Sequence, residues 1–325
     1  MWNPEAETMS AVEIRIVQAE RLRRLVRQLG ANSKCFNGRF EAAGIDFNDF
    51  DGINDIARLP FVDTEVAAGC YPLCGDCISP EEVREVHTRQ GTRGKPVAMP
   101  YTESDIRQWA HMMARCYYMA GARKGDVVQI VADFDMYDSG FGFFHGASLG
   151  GLAILPTGPA DPEKQLAVMK DFNVRIVCAP HSKALELVAL IEANRAALPA
   201  LEIGIFDGRN FQDGERDEIR RRLDIDVFFV FGTAETGGVG SLGMECSEGN
   251  GVHIWEDHYL MEIVEVGGDK VMTDGEEGEL VITTLTREAL PMLRFRTGCT
   301  ARVLSREQCG CGRSHARIIP VSKLG

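Results

Sequence analysis

From Thr102 to Gly232 short apolar runs alternate with segments of helical spacing, and this alternation limits the possible folds more than any other feature of the chain. The runs VVQIVA, GLAILP, VRIVCAP, LEIGIF and VFFVFG have the length and apolar continuity of buried strands. Helical segments are expected near Glu103–Ala120, Pro162–Phe172, Ser182–Ala197 and Asp213–Leu223. Strands apolar on both faces and separated by helices belong to a mostly parallel sheet flanked by helices, the α/β class. Upstream, Leu22, Leu25, Val26 and Leu29 share one face of a helix expected over Ala11–Leu29, with Gly30 as its stop and turn-rich sequence beyond. After Gly237 the runs HIWEDHYLMEIVEV, GELVITTL and LRFRTG, separated by Gly and Asp turns, read as a β-rich subdomain. Three regions follow: residues 1–86, helical; 87–236, α/β; and 237–325, β-rich.

In an open parallel sheet ligands bind beyond the carboxyl ends of the strands. Two turns fall there: FDGRN, Phe206–Asn210, after LEIGIF, and FGTAET, Phe231–Thr236, after VFFV. Ahead of the sheet stands HTRQGTRGKPVAMPYT, His87–Thr102. Gly91 and Gly94 permit close approach and positive φ, Thr92 brings a hydroxyl, and Arg93 and Lys95 bring positive charge, a combination suited to phosphate. The Gly-Lys-Ser/Thr ending of a P-loop is missing, which excludes that motif. Such a loop also serves as an ordinary turn, so its neighbours must decide.

With 325 residues and 45% hydrophobic content the chain can bury a large core. A formal net charge of −13 argues against a nucleic-acid partner, so an anionic ligand must be held by local donors. No stretch is long and apolar enough for a membrane, and MWNPEAE does not open a signal peptide. A cytoplasmic protein is expected, its ten cysteines kept as thiols or metal ligands.

Cys309 and Cys311 share the tight turn CGCGRSH, while Cys246 and His253 bracket CSEGNGVH. Three thiolates and an imidazole suit a closed, structural tetrahedral Zn²⁺, with His315 the competing nitrogen ligand and buried thiols the alternative. Cys70, Cys74 and Cys77 in CYPLCGDC match an iron–sulfur spacing and a redox C-x-x-C form. Their place ahead of the first βα unit disfavours both, leaving incidental or metal-binding thiols.

WNPEAETMS, EEVREVHTRQGTRGKP, GIFDGRN, FGTAETGG, GVHIWEDHYLMEIVE, DGEEGELVITTLTREALPMLRFRTG and CGCGRSHARI together resemble, in sequence and order, the phenylacetate–CoA ligase family of adenylate-forming enzymes. The resemblance implies an AMP-forming acid–CoA ligase that activates an aromatic carboxylic acid with ATP and Mg²⁺ and transfers it to coenzyme A. It covers only the large N-terminal portion of the family's architecture, so the small domain with the catalytic lysine is expected to be absent from these residues. A homodimer or a partner supplying that domain is left open.

Carried across, the resemblance places Gly91, Thr92, Gly94 and Lys95 on phosphate, and Asp207 and Gly208 at the adenine turn. Phe231 and Gly232 fall beside the base, Thr233 on phosphate or acyl oxygen, and Glu235 on Mg²⁺. Glu235, Thr92 and Lys95 are the catalytic candidates; a helix N-terminal acid is the bland alternative for Glu235. Phe134, Tyr137, Phe141 and His145 in ADFDMYDSGFGFFHG correspond to the acid's side-chain pocket.

Departures from the family pattern are specific. Arg89 and Gln90 replace serines before the phosphate loop, and Arg93 replaces a threonine. Cys299 stands where an aspartate binds the ribose hydroxyls, and a thiol is a weak substitute for a carboxylate. Asp207-Gly208-Arg209-Asn210 differs from the usual adenine turn, and Asp133, Asp135 and Asp138 add carboxylates to the pocket segment. They favour a second reading, a catalytically degenerate ligand-binding or partner-dependent subunit of the same fold.

Overall fold

The computed structural model describes residues 1–63, 77–90, 96–134, 139–208 and 214–323. The chain forms two compact units, each discontinuous in sequence. A central unit holds Met1–Asn3, Trp109–Thr233 and Gly238–Val252, and a flanking unit holds Pro4–Gln108, Ala234–Gly237 and His253–Gly325.

The flanking unit opens with α1 (Pro4–Glu7), α2 (Ala11–Asn32) and α3 (Lys34–Ala42). Ser10 starts α2 with a reciprocal cap: its hydroxyl accepts from Glu13 N–H, and the Glu13 carboxylate accepts from Ser10 N–H at 2.8 Å. Leu22, Leu25, Val26 and Leu29 are buried against Phe40, Phe50, Leu59, Leu285 and Leu293. Gly30 does not stop this helix, which runs on to Asn32. A Cβ there would lie 2.3 Å from Phe47 Cγ, so the glycine serves close packing, not termination. A two-stranded antiparallel sheet follows, β1 (Val83–Gln90) and β2 (Pro96–Thr102), which the apolar-run pattern did not reveal. Then α4 (Glu103–Met119) leads to the central unit.

There the expected alternation is present: β3 (Val127–Ile130), α5 (Ser139–Leu149), β4 (Ala153–Pro156), α6 (Pro162–Asp171), β5 (Ile176–Pro180), α7 (His181–Asn194), β6 (Ile203–Asp207), α8 (Glu215–Leu223) and β7 (Asp226–Phe231). The strands lie in the order β7-β6-β5-β3-β4 and are all parallel, with β8 (Gly243–Glu245) antiparallel beside β7. Val177, Ala179, Leu187, Val188, Ile191, Phe206 and Phe229 belong to one buried cluster, as expected for strands covered by helices. Gly142 and Gly146, one turn apart on α5, bring it onto α4: a Cβ would fall 2.6 Å from Trp109 Cζ2 at the first and 2.3 Å from Met113 Cβ at the second.

The last part of the chain returns to the flanking unit as β10 (Tyr259–Val264), β11 (Gly278–Thr284), β12 (Phe295–Ser305) and β13 (Arg317–Lys323), antiparallel in that order. Next to β13 runs β9 (Val252–Ile254). HIWEDHYLMEIVEV is therefore two strands, parted by a turn in which Trp255 C=O accepts from His258 and Tyr259 N–H at 2.8 and 3.0 Å. The fold class is α/β, with a helix-flanked parallel sheet and an antiparallel β-rich part. Among the described residues no helix is long and apolar enough to cross a membrane.

Candidate functional site

In the central unit β6 and β7 are parallel neighbours, and their carboxyl ends carry the two sequence-singled turns. Asp207 is registered with Val230, and Gly208 N–H reaches Val230 C=O at 3.4 Å, so Asp207, Gly208, Phe231, Gly232 and Thr233 share one stretch of sheet edge. Gly232 is fixed by space: a Cβ would lie 2.2 Å from Gly238 O and 2.9 Å from Ser241 N. Thr233, also buried, accepts Gly238 N–H on its carbonyl at 2.8 Å, closing the turn. Arg209 and Asn210 lie outside the described residues.

Phe134, Phe141 and His145 come together as the sequence suggests. Phe134 meets Phe141 edge-on at 5.5 Å, and Phe141 lies 6.2 Å from the His145 ring. Two further rings complete the cluster: Phe144, 6.1 Å from His145, and Trp109, 5.7 Å from it. The signal for Phe144 was its place one helical turn after Phe141; Trp109, on α4, had no local signal. Tyr137, Asp135 and Asp138 lie outside the described residues, and Asp133 is half-buried with its carbonyl accepting Gly140 N–H.

In the flanking unit β1 and β2 pair from Val83↔Thr102 to Gln90↔Pro96, so they deliver both ends of the 91–95 segment side by side. Gly91, Thr92, Arg93, Gly94 and Lys95 themselves lie outside the described residues. The base of the hairpin is tied down by Asp105, whose carboxylate accepts the backbone N–H groups of Thr102, Glu288 and Ala289 at 3.1, 2.8 and 3.0 Å. Thr102 Oγ1 donates to Glu288 at 2.7 Å, and buried Arg287 stacks 4.2 Å over the Tyr101 ring while donating to Pro100 C=O. His87 abuts Tyr101 edge-on and pairs with Glu85 at 3.0 Å. These contacts tie β2 to the segment TREAL, Thr286–Leu290.

Glu235 sits in a three-residue 3₁₀ turn, Ala234–Thr236, which is too short for a helix dipole to account for it. It is 4% exposed and forms an ion pair with Arg89 of β1. Tyr259 Oη donates to Thr236 C=O at 2.7 Å and pins the turn. Further along, Arg294 pairs with Glu262 through two contacts of 2.9 and 3.0 Å, and Arg294 and Arg296 both stack on Phe61. Cys299, on the same strand β12, is buried, with its N–H donating to Thr297 Oγ1 at 3.2 Å.

The ligand atoms of His253, Cys309 and Cys311, all in the flanking unit, lie within 4.8 Å of one another, while Cys246, the fourth residue of the expected set, belongs to the central unit. Cys311 Sγ is 3.6 Å from His253 Nε2, close to the edge of about 3.5–3.8 Å that Zn–S and Zn–N bonds imply for a tetrahedron. His253 Nδ1 faces His315 C=O at 3.2 Å, which sets the tautomer that leaves Nε2 open to a metal. His315, the competing ligand, has both nitrogens engaged: Nδ1 accepts from Glu256 N–H at 3.1 Å and Nε2 donates to Ala6 C=O at 3.0 Å. Gly312 N–H closes the turn on Cys309 C=O, and Cys309 N–H donates to Arg313 C=O. Among the described residues no cysteine is in a disulfide. Cys77 is half-buried, while Cys70 and Cys74 lie outside the described residues.

No protein-family model matches the sequence. Solved structures match its fold. A 2-hydroxyisobutyryl-CoA ligase, in an open conformation with 2-HIB-AMP and CoA, superposes with a TM-score of 0.88 at 23% identity, over 98% of this chain and 77% of that one. The anthranilate CoA ligase AuaEII, in complex with anthranoyl-AMP, gives 0.58 at 15% identity over 75% and 48%. The chain thus shares the fold of these CoA ligases.

Curated sequences go further. The chain is 32% identical to the phenylacetate-coenzyme A ligase of Thermus thermophilus over 99% of its own length and 72% of that protein, and 32% identical to the Escherichia coli enzyme over 97% and 72%. The Pseudomonas putida ligase is 35% identical over 92% and 68%. The chain belongs to the phenylacetate–CoA ligase family.

Proposed function

We propose that this chain binds ATP and an aromatic carboxylic acid and takes part in AMP-forming activation of that acid for transfer to coenzyme A. The observation that carries the reading is the turn after β7, where Gly232 leaves no room for a Cβ, beside the parallel end of β6, so that backbone and small side chains face any ligand at this sheet edge. Asp207, Gly208, Phe231 and Gly232 are assigned to adenine, and Thr233 with Gly91, Thr92, Gly94 and Lys95 to phosphate. Phe134, Tyr137, Phe141 and His145 are assigned to the acid, whose ring would stack on the aromatic cluster. Thr92 and Lys95 would stabilise the negative charge that develops as the carboxylate attacks the α-phosphate.

Two metals belong to the reading. Glu235 would hold Mg²⁺, since a buried carboxylate suits a hard cation and the guanidinium already on it marks the position as one that takes positive charge. When bound, Mg²⁺ would neutralise phosphate charge. A zinc ion at Cys246, His253, Cys309 and Cys311 would be structural, with four protein ligands and no position left for substrate. A chain with these reduced thiols suits the cytoplasm.

Calorimetric titration with ATP and Mg²⁺ tests the function. Saturable binding, weakened by Thr233→Ala and raised in affinity by an aromatic acid, is expected. No binding at millimolar ATP would move the chain to the second reading, a ligand-binding or partner-dependent subunit, which Cys299 at the ribose position favours.

A further inference from the structure

We propose that Arg89 competes with the divalent cation for Glu235, raising the Mg²⁺ concentration this chain needs to bind nucleotide. The inference rests on the nucleotide-binding reading above and adds a residue that sets its metal dependence.

Glu235 is almost fully buried, and a buried carboxylate is costly unless it meets positive charge. Arg89 supplies that charge within the flanking unit, reaching Glu235 from β1. The turn bearing Glu235 is held by the Tyr259–Thr236 hydrogen bond, so the carboxylate stays where it is whichever cation occupies it. Arg89 differs: its side chain is 30% exposed, which gives it a route into solvent when displaced.

The two occupants exclude each other. A guanidinium and a divalent ion on one carboxylate repel at short range, and the guanidinium cannot relieve the repulsion by losing its proton. Whatever the ion pair contributes is therefore subtracted from cation binding, and reciprocally a bound cation weakens the hold of Arg89. Arg89 lies opposite Val97 at the end of the hairpin, next to the pair that opens into the 91–95 segment. Its release is thus a local event at the root of that segment, and a side chain unable to pair there removes the competition without touching Glu235.

The experiment is ATP calorimetry at a series of free Mg²⁺ concentrations on the wild-type chain, Arg89→Ser, Arg89→Gln and Arg89→Lys. The Mg²⁺ needed for half-maximal nucleotide binding should fall about tenfold in the serine and glutamine variants and stay near wild type in the lysine variant, which keeps the charge. An arginine that only stabilises the fold would lower melting temperature without moving that midpoint, so equal midpoints in wild type and either folded neutral variant would overturn the proposal alone. ATP binding absent from all four proteins at every Mg²⁺ concentration would overturn the nucleotide reading and the proposal with it.

Discussion

Glu7 Oε2 accepts from Arg313 Nε at 2.6 Å, with the Glu7 carboxylate fully buried and Arg313 nearly so. The pair joins α1 to the turn that carries Cys309 and Cys311, where Ser314 N–H also donates to Glu7 C=O and His315 to Ala6 C=O. Removing one partner strands the other charge in a dry site. Glu7→Gln should lower unfolding free energy by about 3–5 kcal/mol, read from urea melts. A loss under about 1 kcal/mol would mean that the pair behaves as a solvated surface bridge.

The metal prediction uses the different roles of two histidines. Elemental analysis should find about one zinc per chain. Cys309→Ser and His253→Ala should lower both zinc content and melting temperature, because the unfolded chain has no preformed site and metal binding contributes to folding. His315→Ala, which removes hydrogen bonds and no ligand, should keep its zinc while losing stability. Zinc lost equally from both histidine variants would reassign the ligand.

Much of the fold was legible because β3, β5, β6 and β7 are buried on both faces and read as apolar runs bounded by helices. The hairpin β1–β2 was not, since VREVHTRQ and PVAMPYT mix charged and apolar residues and are fixed by contacts over 180 residues away, such as Asp105 with Glu288. Gly30 misled for a related reason: a helix-ending residue type was required instead by the Phe47 ring packed against it. In the candidate sites the motif order pointed to Glu235, and to Arg89 as a departure from the family, but their ion pair joins residues far apart in the chain and no spacing rule connects them. His253, Cys309 and Cys311, by contrast, were grouped from residue type alone, since an imidazole and thiols suit a tetrahedral zinc, and their ligand atoms do lie together.

Cys299→Asp should restore the carboxylate that the family pattern has at this position. With ATP present, hydrogen bonds to an ionised acceptor contribute about 1.5–3 kcal/mol each before reorganisation, so nucleotide affinity should rise by about tenfold or more. Without ATP the new charge is buried at a site now 5% exposed and should destabilise the chain. Calorimetry and melting curves with and without ATP read the two effects separately, and an unchanged ATP affinity in a folded variant would remove Cys299 from the ribose position.

Glu256 gives the chain a pH dependence whose sign follows from its surroundings. Burial pushes its carboxyl above the ordinary value of 4.5, opposed by the Ala316 N–H it accepts and by Arg306, with Asp257 and Asp274 adding repulsion. The folded chain therefore binds this proton more tightly than the unfolded one. Its stabilising contribution is complete below about 4.5, the unfolded value, and is lost as pH rises through the higher folded value. Glu256→Gln keeps an oxygen for Ala316 N–H but cannot ionise, and Arg306 retains Asp274 at 2.7 Å. The variant should thus gain stability relative to wild type as pH is raised from 4 towards 7, with little or no advantage at pH 4. Urea melts of both proteins at the two pH values measure the difference directly; a variant whose deficit grows with pH would show that the Arg306 attraction outweighs burial.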